Sequence, residues 1–375
     1  MIPMPRKNVH TPKFKIGVFT TLKNTGGALS TSGIAQYCSR LVGAIGKRKN
    51  LGMELTVINQ FSFAYIRYIF KNLFCLATKR RPLFDLIHYT EPAQAALSFL
   101  MPGCKTAVSI HDLYSAYTNP VEWLIGYSSP SGTFARIDER IMRGFIEFGW
   151  RIIVPFALRY SDHIIAVSEL TKTKIISKTG IDGSKIDVVY PIIDASFKPL
   201  KRRRSSKVII GHISSYHRHK NVGVLVSAFQ AASNPWLELH LYGGNLTRFR
   251  TPYKRIKYFG KVPQKRMNAV FNSFDVFVFP SIIEGFGMPV MEAKRCKVPV
   301  ITYAGAELPR IVKQNTLQFK DEGDLTRILD SSAWEKVNIK EAYLDAKRCD
   351  EERILAQLIK IYKEILNDDK ERTRR

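Results

Sequence analysis

Two series of short apolar runs, each run ending in polar residues, constrain this chain more than any other feature. The first is KIGVFTT (15–21), MELTVIN (53–59), DLIHYT (85–90), TAVSIHD (106–112) and HIIAVS (163–168). Stretches of helical spacing lie between them; in IAQYCSRLVGAIGKR (34–48) the apolar residues Ile34, Tyr37, Cys38, Leu41, Val42 and Ile45 recur every three to four positions. Strands that alternate with helices must run parallel, so this half reads as a doubly wound sheet. A segment with two prolines and a basic run, VVYPIIDASFKPLKRRRSSK (188–207), reads as a linker. The alternation then restarts. VIIGHIS (208–214), LELHLYGG (237–244), IKYFG (256–260), DVFVFP (275–280) and VPVITY (298–303) are strands, and NVGVLVSAFQAA (221–232) is a helix. The chain is therefore expected to be α/β, with two such halves facing each other across a cleft. Ligands of open parallel sheets bind at the carboxyl ends of the strands. A last segment, EERILAQLIKIYKEIL (351–366), is amphipathic and needs a partner surface.

Composition narrows the function classes. At 375 residues and 45% hydrophobic, the chain buries proper cores and exceeds one ordinary domain. No apolar run reaches the ~18 residues of a membrane span. The N-terminus, MIPMPRKNVHTPKFK, is basic and lacks a signal-peptide core, so a cytoplasmic location is expected. Five scattered cysteines without CxxC spacing fit a reducing compartment and no zinc site. The net charge of +26 is uneven: residues 1–81 hold 14 Lys/Arg against Glu54, and residues 201–270 hold 15 against Glu238. Such fields attract phosphorylated small molecules, anionic lipid or nucleic acid. Nucleic acid is disfavoured, because no helix-turn-helix or RNP-like aromatic signature accompanies the charge. The aromatic, acid-free FSFAYIRYIFKNLFCLATKRR (61–81) fits either a core-packing helix with a basic outer face or an interfacial helix on an anionic membrane.

The richest local pattern is FDVFVFPSIIEGFGMPVMEA (274–293). A buried strand ends at Pro280, Ser281 to Gly287 turn the chain, and Pro289 suits the first turn of a helix. The N–H groups of Phe286, Gly287 and Met288 then sit at a helix N-terminus, ready for a pyrophosphate. Gly285 and Gly287 permit close backbone approach and positive φ. Glu284 precedes the turn and can accept hydrogen bonds from a polyol. Glu292, in the second turn, can grip a diol; the plainer reading is an acid favoured by the helix dipole. His111 alone reads more readily as a structural histidine, and Asp112 as a helix cap. The three histidines of HISSYHRHK (212–220) have no zinc spacing, and no carboxylate pair suits a metal.

This pattern, EGFGMPVMEA after FVFPS, resembles the E-x7-E motif of the family-4 retaining glycosyltransferases of GT-B type. The resemblance extends in order along nearly the whole chain: SGIAQYCSRL (32–41), SIHDLY (109–114), SDHIIAVSELTKTKIISKTGIDGSKIDVVYPIID (161–194), HKNVGVLVSAF (219–229) and FGKVPQKRMNAVFNSFDVFVFPS (259–281). It implies two Rossmann-like domains, 1–197 on the acceptor side and 205–350 binding the nucleotide-sugar, with helix 351–366 crossing back to the first. It implies a retaining transfer of a hexose from a UDP- or GDP-sugar, without cofactor or obligate metal. Glu284 would bind donor-sugar hydroxyls, the Gly285–Met288 backbone the diphosphate, and Glu292 the ribose. His111 would sit beside the reacting sugar. Lys220 would neutralise the leaving diphosphate, and Gly33 would let its loop approach phosphate or acceptor. A lipid-linked or phosphorylated acceptor and a peripheral position on the inner membrane face are the expected context. The sequence departs from the family in three places. Ser214 and Ser215 stand where an arginine usually precedes the lysine, leaving Arg218 or His212 to substitute. Ser32-Gly33 stands for the usual glycine pair, with Gly26-Gly27 upstream. Arg310 stands for a common glutamate. A nucleotide-sugar epimerase of the same architecture and a non-catalytic basic nucleic-acid binder are the alternatives.

Overall fold

The computed structural model describes residues 14–20, 33–48, 53–59, 70–71, 74–75, 77–78, 82–92, 103–112, 154–201 and 206–372. Within these, the chain forms two six-stranded sheets. The first contains β1 (Phe14–Thr20), β2 (Met53–Asn59), β3 (Leu86–Tyr89), β4 (Lys105–Ile110), β5 (His163–Ala166) and β6 (Ile186–Val188). Their order is β2-β1-β3-β4-β5-β6 and every pairing is parallel. The second contains β7 (Val208–Ile213), β8 (Leu237–Tyr242), β9 (Ile256–Gly260), β10 (Val276–Phe279), β11 (Val300–Tyr303) and β12 (Leu317–Phe319), in the order β12-β11-β10-β7-β8-β9. Strands buried on both faces read as continuous apolar runs, and VFVF in β10 is buried throughout. Two strands escaped the sequence reading. Ile186–Val188 and Leu317–Phe319 are three-residue edge strands, too short for any period to show.

In the second sheet the order reverses between β7 and β10, which pair directly. That switch point opens a crevice at the strand ends. The loops entering it follow β7 and β10, and they carry Lys220 and Glu284.

Up to Phe197 the joining segment is packed rather than solvated, and residues 198–201 beyond it are exposed. Val189, Ile192, Ile193 and Phe197 are buried, and one continuous apolar cluster runs from β1 through them to Phe271 and Met291. Its backbone is tied down as well: Ile193 N–H donates to Cys349 O (3.0 Å) and Leu200 N–H to Asn272 Oδ1 (2.7 Å).

The last helix runs from Glu351 to Arg372, longer than its apolar pattern, and packs on the first domain. Ile354, Leu355, Leu358, Ile361, Tyr362, Ile365 and Leu366 are buried. Burying each large apolar side chain contributes roughly 1.5–3 kcal/mol. The exposed ion pair Lys47–Glu351 (3.0 Å) contributes at most about 1 kcal/mol, so the apolar face decides where this helix docks. Tyr362 adds specificity: its hydroxyl lies 2.6 Å from His88 Nδ1, and His88 Nε2 lies 2.8 Å from Ser109 Oγ.

Candidate active site

The turn after β10 is held open by backbone geometry. Ile282 N–H donates to His219 O (2.8 Å), Glu284 N–H to Glu307 O (3.2 Å) and Glu307 N–H to Ile282 O (2.8 Å). These bonds clamp the turn to its neighbours and leave Glu284 facing the loop after β7. There Lys220 Nζ donates to both Glu284 oxygens, at 2.7 and 2.9 Å. Lys220 ends a short 3-10 turn, Arg218–Lys220, whose Arg218 is exposed. The two serines at 214 and 215 leave no arginine behind it. His212 does not fill that role either. It is fully buried, with Nδ1 donating to Val278 O (2.9 Å) and Nε2 2.7 Å from Ser214 Oγ. Burial lowers its pKa to about 4.

Gly287 is the N-cap of the helix Met288–Arg295 at φ 100°, a conformation that favours glycine. Pro289 occupies the first turn, as its missing N–H allows. That turn carries no acid. Glu292 lies one turn further on, so the dipole explanation does not apply to it. It is buried and pairs with Arg40, on the first-domain helix Gly33–Gly46. Ser281, just after β10, is fully buried, and among the described residues its hydroxyl has no hydrogen-bond partner.

The first domain closes directly onto this turn. A Cβ on Gly285 would lie 2.0 Å from His111 O, so only glycine permits the approach. Ser168, the N-cap of the helix Glu169–Thr179, donates to Gly285 O (3.2 Å). Lys174 pairs with Glu307. A Cβ on Gly33 would meet Met288 Cε at 3.7 Å, so the start of the first helix faces the same turn. His111 follows β4 at its carboxyl end. Its Nε2 bonds the Thr90 carbonyl (2.9 Å), which can only accept, so Nε2 carries the proton. Burial lowers its pKa to about 4, and the ring is neutral near pH 7 with Nδ1 as an acceptor. Tyr37 packs its ring against His111 at 4.5 Å, edge-on.

Thus His111, Gly33, Lys220 and the 284–292 segment, far apart in sequence, lie around one cleft. Arg40, Ser168 and Ser281 join them, and sequence reasoning assigned none of the three a role. Arg40 had one signal, a lone cation in an acid-free helix, but nothing in the sequence names a partner 252 residues away. The upstream Gly26-Gly27 and Ser32 lie outside the described residues. Among the described residues no group of His, Cys, Asp or Glu is disposed to hold a metal ion.

Comparison with known proteins follows the same division. Residues 37–197 match the family model described as Glycosyltransferase Family 4, and residues 195–329 the model described as Glycosyl transferases group 1. The chain is 31% identical over 115 residues to O-antigen chain mannosyltransferase B of Escherichia coli, covering 29% of this chain and 30% of that protein. It is 24% identical over 197 residues to D-inositol 3-phosphate glycosyltransferase of Mycobacterium sp. (strain KMS), covering 46% and 44%. The matches span less than half of these curated relatives. Among solved structures, sucrose-phosphate synthase from Thermosynechococcus elongatus superposes with a TM-score of 0.67 at 16% identity, over 95% of this chain and all of that one. Anabaena HepE in complex with UDP-glucose gives 0.65 at 13%, over 94% and 100%. At these identities the likeness is one of fold.

Proposed function

The chain belongs to the glycosyltransferases of GT-B type, its halves matching the family 4 and group 1 models in turn, and from that premise we propose that it moves a hexose from a UDP- or GDP-sugar to an acceptor with retention of configuration. One observation carries the reading. A glycine-shaped turn at a helix N-terminus, a Lys–Glu pair and a neutral histidine converge from two domains on a single cleft.

Each group has a task that its surroundings suit. Departure of a nucleoside diphosphate builds negative charge on the leaving oxygens, and preorganised donors must meet it. Phe286, Gly287 and Met288 offer N–H groups there, and Lys220 and Arg218 offer cations. Lys220 is held by Glu284, so the cation is in place before the donor arrives. Glu284 accepts hydroxyls of the sugar, Glu292 those of the ribose, and His111 Nδ1 accepts one more from the sugar. Among the described residues no carboxylate stands apart as a nucleophile, and we assign front-face transfer, with the leaving phosphate oxygen taking the acceptor proton. The cations do the work a metal would do, and activity is expected to persist in EDTA. HepE has been solved with UDP and with UDP-glucose, which favours UDP-sugars as the first donors to try.

The test is a panel of nucleotide-sugars, with and without EDTA, followed by melting temperature and product analysis. Protection against melting together with sugar transfer supports the reading. Epimerised product would favour the epimerase, and no interaction with any donor would sink both.

The acceptor is assigned as lipid-linked or phosphorylated, met on the cytoplasmic face of a membrane, with the N-terminal half docked peripherally. Most of residues 61–81 lie outside the described residues. Phe70, Lys71 and Phe74 are exposed. Among the described residues no helix is long and apolar enough to cross a membrane. Co-sedimentation with liposomes should rise with anionic lipid and fall with salt; binding indifferent to both would remove the membrane from the proposal.

A further inference from the structure

Arg40 is too well held to be an incidental ion pair. One guanidinium nitrogen donates to Ile192 O (3.2 Å) and approaches Met288 Sδ (3.8 Å). The other donates to Gln36 Oε1 (3.3 Å) and to Glu292 Oε1. The guanidinium also lies over the Phe197 ring, at 5.6 Å. The two charged side chains are 7% and 4% exposed. Taking such a pair out of water costs several kcal/mol per ion, repaid only when the remaining polar atoms are also satisfied. Here the arginine is bonded on both terminal nitrogens, whereas the contact uses only one Glu292 oxygen.

We infer that Arg40 is a positioning residue of the donor site, supplied by the first domain, which fixes the Glu292 carboxylate so that its second oxygen meets the nucleotide ribose. This rests on the donor-site reading above and adds to it the source of the missing positive charge. In the second domain Ser214 and Ser215 stand where the resembled family usually has an arginine. The first domain places one beside Met288, whose N–H belongs to the proposed diphosphate cradle.

The alternative is a latch that shuts the cleft and must break before donor enters. The anchors of Arg40 argue against it. Ile192 and Phe197 lie in the segment joining the domains, so Arg40 is held beside the joint rather than at the mouth of the cleft. On this reading the Arg40–Glu292 bond persists with donor bound and is part of the binding surface.

The charge environment gives the inference a signature. Burial raises the Glu292 pKa and the Asp194 carboxylate adds to it, while Arg40 opposes both; on its own helix, Cys296 lies close enough to feel its charge. Without Arg40, the carboxyl is left to burial and Asp194 alone. It then keeps its proton to higher pH than in the wild type, and a protonated carboxyl forms weaker hydrogen bonds to the ribose.

The experiment is calorimetric titration of the full-length protein with UDP and GDP between pH 6 and 8.5. Wild type is compared with Arg40→Ala, Arg40→Lys, Glu292→Gln and the double variant Arg40→Ala/Glu292→Gln. Taking the ratio to wild type at each pH cancels the nucleotide's own ionisation. Arg40→Ala should weaken the preferred nucleotide about 10- to 100-fold, with the loss greatest at the acid end of the range and shrinking as pH rises. Arg40→Lys should keep most of the affinity, and in the Glu292→Gln background the loss should largely vanish. Wild-type affinity in Arg40→Ala, tighter binding as a latch requires, or a pH-independent loss additive with Glu292→Gln would overturn the inference. Should Arg40→Ala fail to fold, Arg40→Gln is measured in its place, in the single and the double variant, against the same expectations. Binding of neither nucleotide by the wild type would sink the donor-site reading, and this inference with it.

Discussion

The carboxyl ends of the two sheets make different contributions to one cleft. The second sheet presents charge and backbone: Lys220 on Glu284, and a glycine turn clamped by three backbone hydrogen bonds at a helix N-terminus. The first presents groups kept neutral or already paired: His111 with its proton on the Thr90 carbonyl, the Ser168 hydroxyl on Gly285 O, and Arg40 on Glu292. In the proposed reaction the two ends meet different demands. Charge develops on the diphosphate, and a rigid array of charges and dipoles suits it. The reacting sugar is a polyol, and neutral acceptors suit hydroxyls.

The largest effects should therefore come from the second sheet. Glu284→Ala is expected to lower kcat/KM by at least about 100-fold. Lys220→Ala should cost about as much, because it removes the cation and leaves Glu284 without a partner. Neither should shift the melting temperature much, since both side chains lie at the cleft rather than in the core. Steady-state kinetics beside thermal melting tests this. Activity near wild type in Glu284→Ala would take the sugar away from that carboxylate and break the division of labour.

His111 sharpens the comparison from the other side. His111→Ala should lower kcat by roughly 10- to 100-fold, the cost of one acceptor. Because burial holds the ring near a pKa of about 4, His111 contributes no break to the pH–rate profile around 6.5. A break there in the wild type that disappears in His111→Ala would mean the ring works as a proton carrier instead.

How much of this was legible in the sequence differs between the domains for the same physical reason. Ten of the strands announced themselves as apolar runs; the central ones, such as β3 and β10, are buried on both faces, which leaves little room for polar residues. Edge strands such as β6 and β12 are too short to show a pattern. Glu284 and the glycine turn were readable because their geometry is local: a strand, a turn and a helix start within 20 residues. The environment of Glu292 was not, because Arg40 reaches it across the cleft from another domain. The joining segment 188–207 misled for a related reason. Its prolines and basic run look like a linker, while Ile192, Ile193 and Phe197 pack into the continuous core. Local patterns report local structure, and contacts between domains leave almost no trace in either partner's neighbourhood.

The smallest predicted effect concerns stability, and it sets one histidine of each sheet against the other. His88 in β3 and His212 in β7 are fully buried and neutral, at about 3 and about 4. An unfolded histidine titrates near 6.5. Between that value and the folded ones the unfolded chain binds protons that the folded chain refuses, so stability falls as pH drops through this window. Each histidine should add a slope of up to ~1.4 kcal/mol per pH unit there. His212→Asn keeps a donor for the Val278 carbonyl and removes the titration, and His88→Gln keeps a partner for Ser109. Each variant should flatten the urea-measured stability profile between about pH 6.5 and 4 by close to one proton. The two differ in what acid would release. His212 ties neighbouring strands of one sheet, whereas His88 bonds Tyr362 and with it the C-terminal helix, so only the His88 step should change that helix's docking. Equal slopes in wild type and His88→Gln would mean that His88 binds its proton as readily in the folded chain as in the unfolded one, and that the His88–Tyr362 bond does not depend on a neutral ring.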